Sequence, residues 1–457
     1  MTNLYILTEE RPKYDVIGEI LKHYCGLYGK QIKILEKIQI QPIFTLKKFN
    51  YEYKVLNVEI ENINEINIQI ASGISTFVDY LIFEQNFAPK ESDINNDNDG
   101  NHLKLLLEET KTNDLESRNQ VFQRISKFVY AEHFYKNIKK TMFYNIQIGD
   151  NDKNPTDSNI FGMNMLLTLG VDIVGVDTSH YKKFKTLNNF IKYKNDMNPP
   201  NATNTPITIR QEENKIFITG SLENPKGSGN MNHDPNKGQL SAIAKVIRMF
   251  DNETEIIIQD HGVKQETINR TRGNKFLFLS KILNFKLDNI TLPEINIPKK
   301  YWKYNKKLEK NGTILIHLIS IFKNESTISI FEHHAGGELS YFHFPDNSIE
   351  QVSGNNIPDL VLKNEANKEI LIIEGKKYEN LQDGLEKIER FDSFETDYVK
   401  KYENYIINRW VVTCGDDIRK IDLNPKVLFH LNDDGTCIFN EHAPQWLKES
   451  FERVVNH

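Results

Sequence analysis

Twice in this chain an apolar run ends in a carboxylate, one spacer and a lysine: LLLEETK closes on Glu109-Thr110-Lys111, and LIIEGKK carries Glu374-Gly375-Lys376. Charge at the end of a run suited to burial is costly unless it is paired or used. Strand side chains alternate between faces, so residues two apart point the same way. Glu109 and Lys111 are therefore expected to share a face, as are Glu374 and Lys376. Each run also sits in the same local order. In the first half STFVDYLIF precedes it, Leu115, Val121, Phe122, Ile125, Phe128 and Val129 follow at helical spacing, and a strand is expected over 141–148. In the second half Asp359-Leu360-Val361-Leu362 leads through the turn KNEANK to the acidic run. A helix with Leu381, Leu385, Ile388 and Phe391 on one face comes next, then a strand over 409–413. The chain thus writes strand, strand ending in Glu-x-Lys, helix, strand two times over.

A carboxylate on each preceding strand completes a set: Asp79 in the first, Asp359 in the second. Two carboxylates are the usual protein share of a Mg²⁺ shell, because this hard ion keeps several waters and takes substrate phosphate oxygens as well. Such an ion acidifies water and screens charge developing on phosphorus. A lysine alongside adds a compact positive charge that orients the water or stabilises hydroxide. The chemistry these residue types describe is phosphodiester hydrolysis.

The pattern resembles the PD-(D/E)xK nuclease superfamily. Pro358-Asp359 followed fifteen residues on by Glu374-Gly375-Lys376 matches its motif almost literally. The first copy departs from it: Val78 stands before Asp79, and Glu109 lies thirty residues beyond, across the Asn/Asp-rich stretch ESDINNDNDG. The resemblance implies an α/β fold with two restriction-endonuclease-like cores in tandem, each a mixed central sheet flanked by helices. It implies metal ligands Asp79, Glu109, Asp359 and Glu374, with Lys111 and Lys376 beside them. A further Glu from a preceding element would be Glu19 or Glu338. Mg²⁺ is the implied cofactor, with Mn²⁺ substituting, and double-stranded DNA the substrate. The resemblance covers about 70 residues in each half and leaves 150–295 over. Surplus of that size suggests selection of particular DNA, as in type II restriction endonucleases, whose cognate DNA methyltransferase is a separate protein. With both sites working, one copy would cut both strands, as a monomer or after associating on DNA. Competing readings are a pseudo-dimer with one active site, a repair or defence nuclease directed by structure or modification, and a DNA-binding protein without catalysis.

Glu-x-Lys alone is weak, since on the order of three or four such triplets follow from composition. Glu213-Asn214-Lys215 is the control: it has no Asp-bearing strand before it and reads as a hairpin flank. His333-His334 lacks a further His or Cys at zinc spacing, and the loop GSLENPKGSGNMNHDPNKG lacks the Gly-Lys-Ser/Thr of a phosphate loop. Candidates to meet a DNA backbone are Lys226, His233 and Lys237 in that loop. Two aromatic-basic stretches add Lys182, Lys183 and Lys185, and Lys299, Lys300 and Lys303.

The totals set the frame. At 457 residues, 39% hydrophobic and 26% charged, the chain is long enough for two or three domains. The expected boundary lies near Pro298, dividing 1–297 from 298–457. A net charge of −6 argues against coating nucleic acid by bulk positive charge. Three scattered cysteines suggest neither a disulfide framework nor a Cys-based zinc site. The start MTNLYILTEERPKY has no basic segment leading into an apolar one, so a soluble, cytoplasmic protein without membrane spans is expected.

Overall fold

The two apolar runs form the strands Leu103–Lys111 and Glu369–Lys377. The structure is a computed structural model that describes residues 2–9, 14–73, 77–96, 101–116, 120–145, 154–197, 207–223, 231, 234–303, 311–333, 340–352, 354, 356–415, 418 and 424–456. The chain divides into two units, Met1–Ala71 with Asn305–His457, and Ser72–Tyr304. As the composition of the strands implies, the class is α/β, with mixed sheets flanked by helices.

In the first unit six strands run in the order Thr327–Glu332, Leu360–Asn364, Glu369–Lys377, Ile406–Cys414, Val427–Leu431 and Cys437–Phe439. Neighbours among the first three are antiparallel, the next two join in parallel, and the last is antiparallel. Strands buried on both faces read as near-continuous apolar runs, and Ile370–Ile373 and Val411–Val412 are fully buried. Helices Asn311–Ile321 and Leu381–Glu389 both pack on the two central strands. The apolar run at 313–319 is therefore helical. Ile388 and Phe391 close a core with Val361, Ile370, Ile372 and Val411.

The sequence boundary near Pro298 falls close to the observed one at 304/305, but the first 71 residues belong with the C-terminal part. Their strands Ile32–Thr45, Lys48–Ile60, Ile63–Ile70 and Thr2–Thr8 are adjacent in that order. Aromatic side chains carry the attachment: Phe44 meets Phe451 and Phe322, and the Tyr53 ring lies tilted 5.0 Å from that of His317. No local pattern announces such contacts, because they join residues more than 260 positions apart.

In the second unit Tyr80–Gln85, Leu103–Lys111, Lys139–Asn145 and Val171–Val174 are adjacent in chain order, the first pair antiparallel and the others parallel. Helix Gln120–Phe134 is the crossover and buries Val121, Phe122, Ile125, Phe128 and Val129, the face expected from their spacing. A second sheet holds Thr208–Glu212, Lys215–Thr219, Glu255–Gln259 and Phe285–Leu287. The control triplet Glu213-Asn214-Lys215 indeed turns its hairpin. Two stretches expected to be loops contain helices: Glu91–Asn96 lies within 91–100, and Asp234–Phe250 begins inside 220–238. Among the described residues no helix is long and apolar enough to cross a membrane.

Candidate functional site

Antiparallel register decides which carboxylates meet. Leu360 pairs with Ile373, which sets Asp359 beside Glu374. The Gly375 N–H donates to Asp359 Oδ2 at 2.8 Å, so the spacer of the motif holds the neighbouring strand's carboxylate. Glu374 is fully buried. Its Oε1 takes both Lys376 Nζ at 2.7 Å and Lys387 Nζ, from helix Leu381–Glu389, at 2.8 Å. Its Oε2 is buried with no hydrogen-bond partner among the described residues. Burial, and then the charge of Asp359, raise the Glu374 pKa; burial likewise raises Asp359. Burial works against the Lys376 ammonium, but Glu374 and Asp359 outweigh it and keep the lysine charged. The sequence missed Lys387, whose place becomes legible only once the helix folds back over the strand.

Gly384 explains how that helix comes so close. A Cβ there would stand 2.8 Å from Lys376 Cγ and 3.1 Å from Val411. His333 borders the site through its N–H, which donates to the Asp359 carbonyl at 2.9 Å. Burial and Lys387 lower its ring pKa. The donor set fits a divalent ion: Glu374 on one strand and Asp359 just before the adjoining one, with one buried oxygen that no described residue satisfies.

In the other unit the register is one residue away from the expected one. Tyr80 pairs with Leu107, so Asp79 lies beside Glu108, not Glu109. The Glu109 N–H donates to Asp79 Oδ2 at 2.8 Å, the contact Gly375 makes to Asp359. The Glu109 carboxylate turns to the opposite face, where it accepts from Tyr80 Oη at 2.7 Å and Asn145 Nδ2 at 3.1 Å. Glu109 is thus corrected from partner of Asp79 to spacer. Thr110 occupies the position of Lys376, and its hydroxyl donates to Asp114. Lys111 ends the strand, and its side chain lies outside the described residues.

Two cations from helix Gln120–Phe134 fill this second cluster. Lys127 Nζ bridges the pair, 2.5 Å from Glu108 Oε1 and 3.1 Å from Asp79 Oδ1. Arg124 reaches Glu108 and Asp114, each at 3.0 Å. The remaining oxygen, Glu108 Oε2, accepts the Asp79 N–H at 3.2 Å. Burial opposes both cations, but Glu108 and Asp79 raise the pKa of each. Every oxygen of Asp79 and Glu108 has a donor, so these residues do not fit a divalent ion as they stand. The Glu108-Glu109 doublet hid the assignment, because either Glu ends an apolar run.

The remaining candidates scatter. Glu19 is exposed and pairs with Lys22 at 2.6 Å. Glu338, His334, Lys226 and His233 lie outside the described residues, as does the side chain of Lys303. Lys182, Lys183 and Lys185 are exposed, while the segment itself is docked by the Lys182 N–H on Asn164 Oδ1 at 2.7 Å and the Phe184 N–H on Thr168 Oγ1 at 2.9 Å. Lys299 and Lys300 are exposed, and Lys300 pairs with Glu91. Lys237 lines a cavity of about 350 Å³ with Ser126, Lys127, Ser241 and Lys275. The aromatics beneath these lysines are structural: Tyr301 is buried among Phe77, Tyr130, Phe134 and Tyr135, and its hydroxyl accepts the Val78 N–H at 2.9 Å. Among the described residues no group of three or more His, Cys, Asp or Glu side chains stands ready to hold a metal. No family model, curated protein or solved structure matches the chain.

Proposed function

We propose that this chain is a Mg²⁺-dependent endonuclease of the PD-(D/E)xK kind, cutting double-stranded DNA in the manner of a type II restriction enzyme at Asp359, Glu374 and Lys376. The observation that carries this reading is the buried Glu374 carboxylate beside Asp359, with one oxygen unsatisfied by any described residue and the Lys376 ammonium 2.7 Å from the other. Within the six-stranded sheet the order of elements supports it: helix, three successively antiparallel strands, helix, parallel strand, with Glu374 on one of the two strands that the superfamily pattern uses and Asp359 immediately before the other.

Asp359 and Glu374 would hold the ion, Asp359 already oriented by the Gly375 N–H. A bound Mg²⁺ supplies an acidified water and screens charge on the phosphorus. Lys376 stands two residues along the same face as Glu374, where its ammonium is placed to hold the attacking water and the non-bridging phosphate oxygens. Lys387 opposes, without cancelling, the burial that raises the Glu374 pKa. Recognition of bases falls to the surplus around 150–295, with its second sheet, and the exposed Lys182, Lys183 and Lys185 are the proposed backbone contacts.

Supercoiled plasmid with Mg²⁺ tests this directly. Cutting at discrete positions is expected, stopped by EDTA and lowered about 10²- to 10⁴-fold by Lys376→Ala. Cutting that persists in EDTA, or that Lys376→Ala leaves unchanged, refutes the proposal.

A further inference from the structure

We propose that Asp79 and Glu108 form a cation-bridged pseudo-site, so that each chain carries one divalent-ion centre, at Asp359 and Glu374, and one copy breaks one strand of a duplex. This rests on the hydrolase reading above and sharpens it.

The two clusters share a backbone plan. In each, an Asp just before one strand lies beside a Glu on the next, and the residue after that Glu donates its N–H to Asp Oδ2 at 2.8 Å. They part at the side chains. At the position of Lys376 stands Thr110, a hydroxyl with no charge to offer a phosphate and already directed at Asp114. Lys127 touches both carboxylates, whereas Lys376 and Lys387 both sit on a single oxygen of Glu374. Among the described residues Glu374 keeps a buried oxygen without a donor, while Asp79 and Glu108 keep none.

The consequence is electrostatic. A divalent ion approaching Asp359 and Glu374 finds a Glu374 oxygen that neither ammonium holds. An ion approaching Asp79 and Glu108 meets the Lys127 ammonium in the bridging position. Displacing it would leave a buried cation beside Arg124, whose charge already opposes it. The loss of that pairing weighs against the gain of the ion. Lys127 and Arg124 therefore take the neutralising role of the metal, and the cluster ties helix Gln120–Phe134 to the strand ends.

Mn²⁺ binding to the full chain, counted by the electron paramagnetic resonance of the free ion, decides the matter. One Mn²⁺ per chain is expected, lost in Glu374→Gln and kept in Glu108→Gln. Two per chain in the unsubstituted protein overturns the pseudo-site and leaves the hydrolase reading standing; none removes the hydrolase reading itself. The unsubstituted count decides even where Glu108→Gln fails to fold, and Asp79→Asn serves as its replacement. Plasmid cutting gives a second readout: with enzyme scarce, nicked circles should precede linear product. Linear product formed by a lone copy in one encounter, or Glu374→Gln protein that still nicks, contradicts the inference.

Discussion

Two glutamates adjacent in sequence meet opposite fates. Glu108 is buried against Arg124 and Lys127, while Glu109 faces Tyr80 and Asn145. Removing one partner of a buried ion pair strands the other charge, so Lys127→Met should destabilise the protein by about 2–4 kcal/mol, read from urea unfolding. Adding Glu108→Gln to that variant should recover part of the loss, because the stranded carboxylate is gone. Lys194 is a different case. It follows the basic-aromatic stretch of Lys182, Lys183 and Lys185, yet it is buried with its ammonium 5.9 Å from the Phe161 ring centre, and burial lowers its pKa to about 8. The unfolded chain holds that proton up to the ordinary lysine value, so between about 8 and 10.5 the unfolded state binds more protons and stability rises with pH. Below that window the charge costs stability. Lys194→Met should therefore stabilise the protein at pH 7 by roughly 1–3 kcal/mol, with the gain fading as the pH approaches 10. Thermal melts across that range would show it, and a gain independent of pH would contradict it.

At the scale of elements, helices reach the two clusters by close packing. A Cβ at Gly384 would press on Lys376 Cγ and on Val411, so Gly384→Ala should displace the lysine. A fall of about 10-fold or more in cutting rate is expected, since small misplacements at a reacting centre are costly, while Mn²⁺ binding stays. At Gly238 the added methyl would lie 2.6 Å from the Phe122 carbonyl, where helix Asp234–Phe250 crosses helix Gln120–Phe134. Backbone cannot yield as a side chain does, so Gly238→Ala should cost about 1–3 kcal/mol in urea unfolding. Element types were largely legible: the spacing of Val121, Phe122, Ile125, Phe128 and Val129 marked the helix face that is buried. The run at 313–319 did not declare itself, because an apolar stretch of that length suits a buried strand or a buried helix equally.

For the whole molecule, the proposed single ion centre per chain would make the second cut a second event. Linearisation of plasmid should then rise more steeply with enzyme concentration than nicking does, and equal dependence would point to two working sites in one copy. Legible from the residues alone were the α/β class, the strand, strand, helix, strand order around each Glu-x-Lys run, and Asp359, Glu374 and Lys376 as candidate neighbours, because apolar runs, helical spacing and a two-residue charge spacing are local properties of the chain. Tertiary structure alone decided that residues 1–71 join the C-terminal part, that Lys387 reaches Glu374, and that Asp79 meets Glu108 and Lys127 rather than Glu109. A one-residue change of strand register turns every side chain to the other face, and with glutamate at both positions only the cross-strand hydrogen bonds could choose between them.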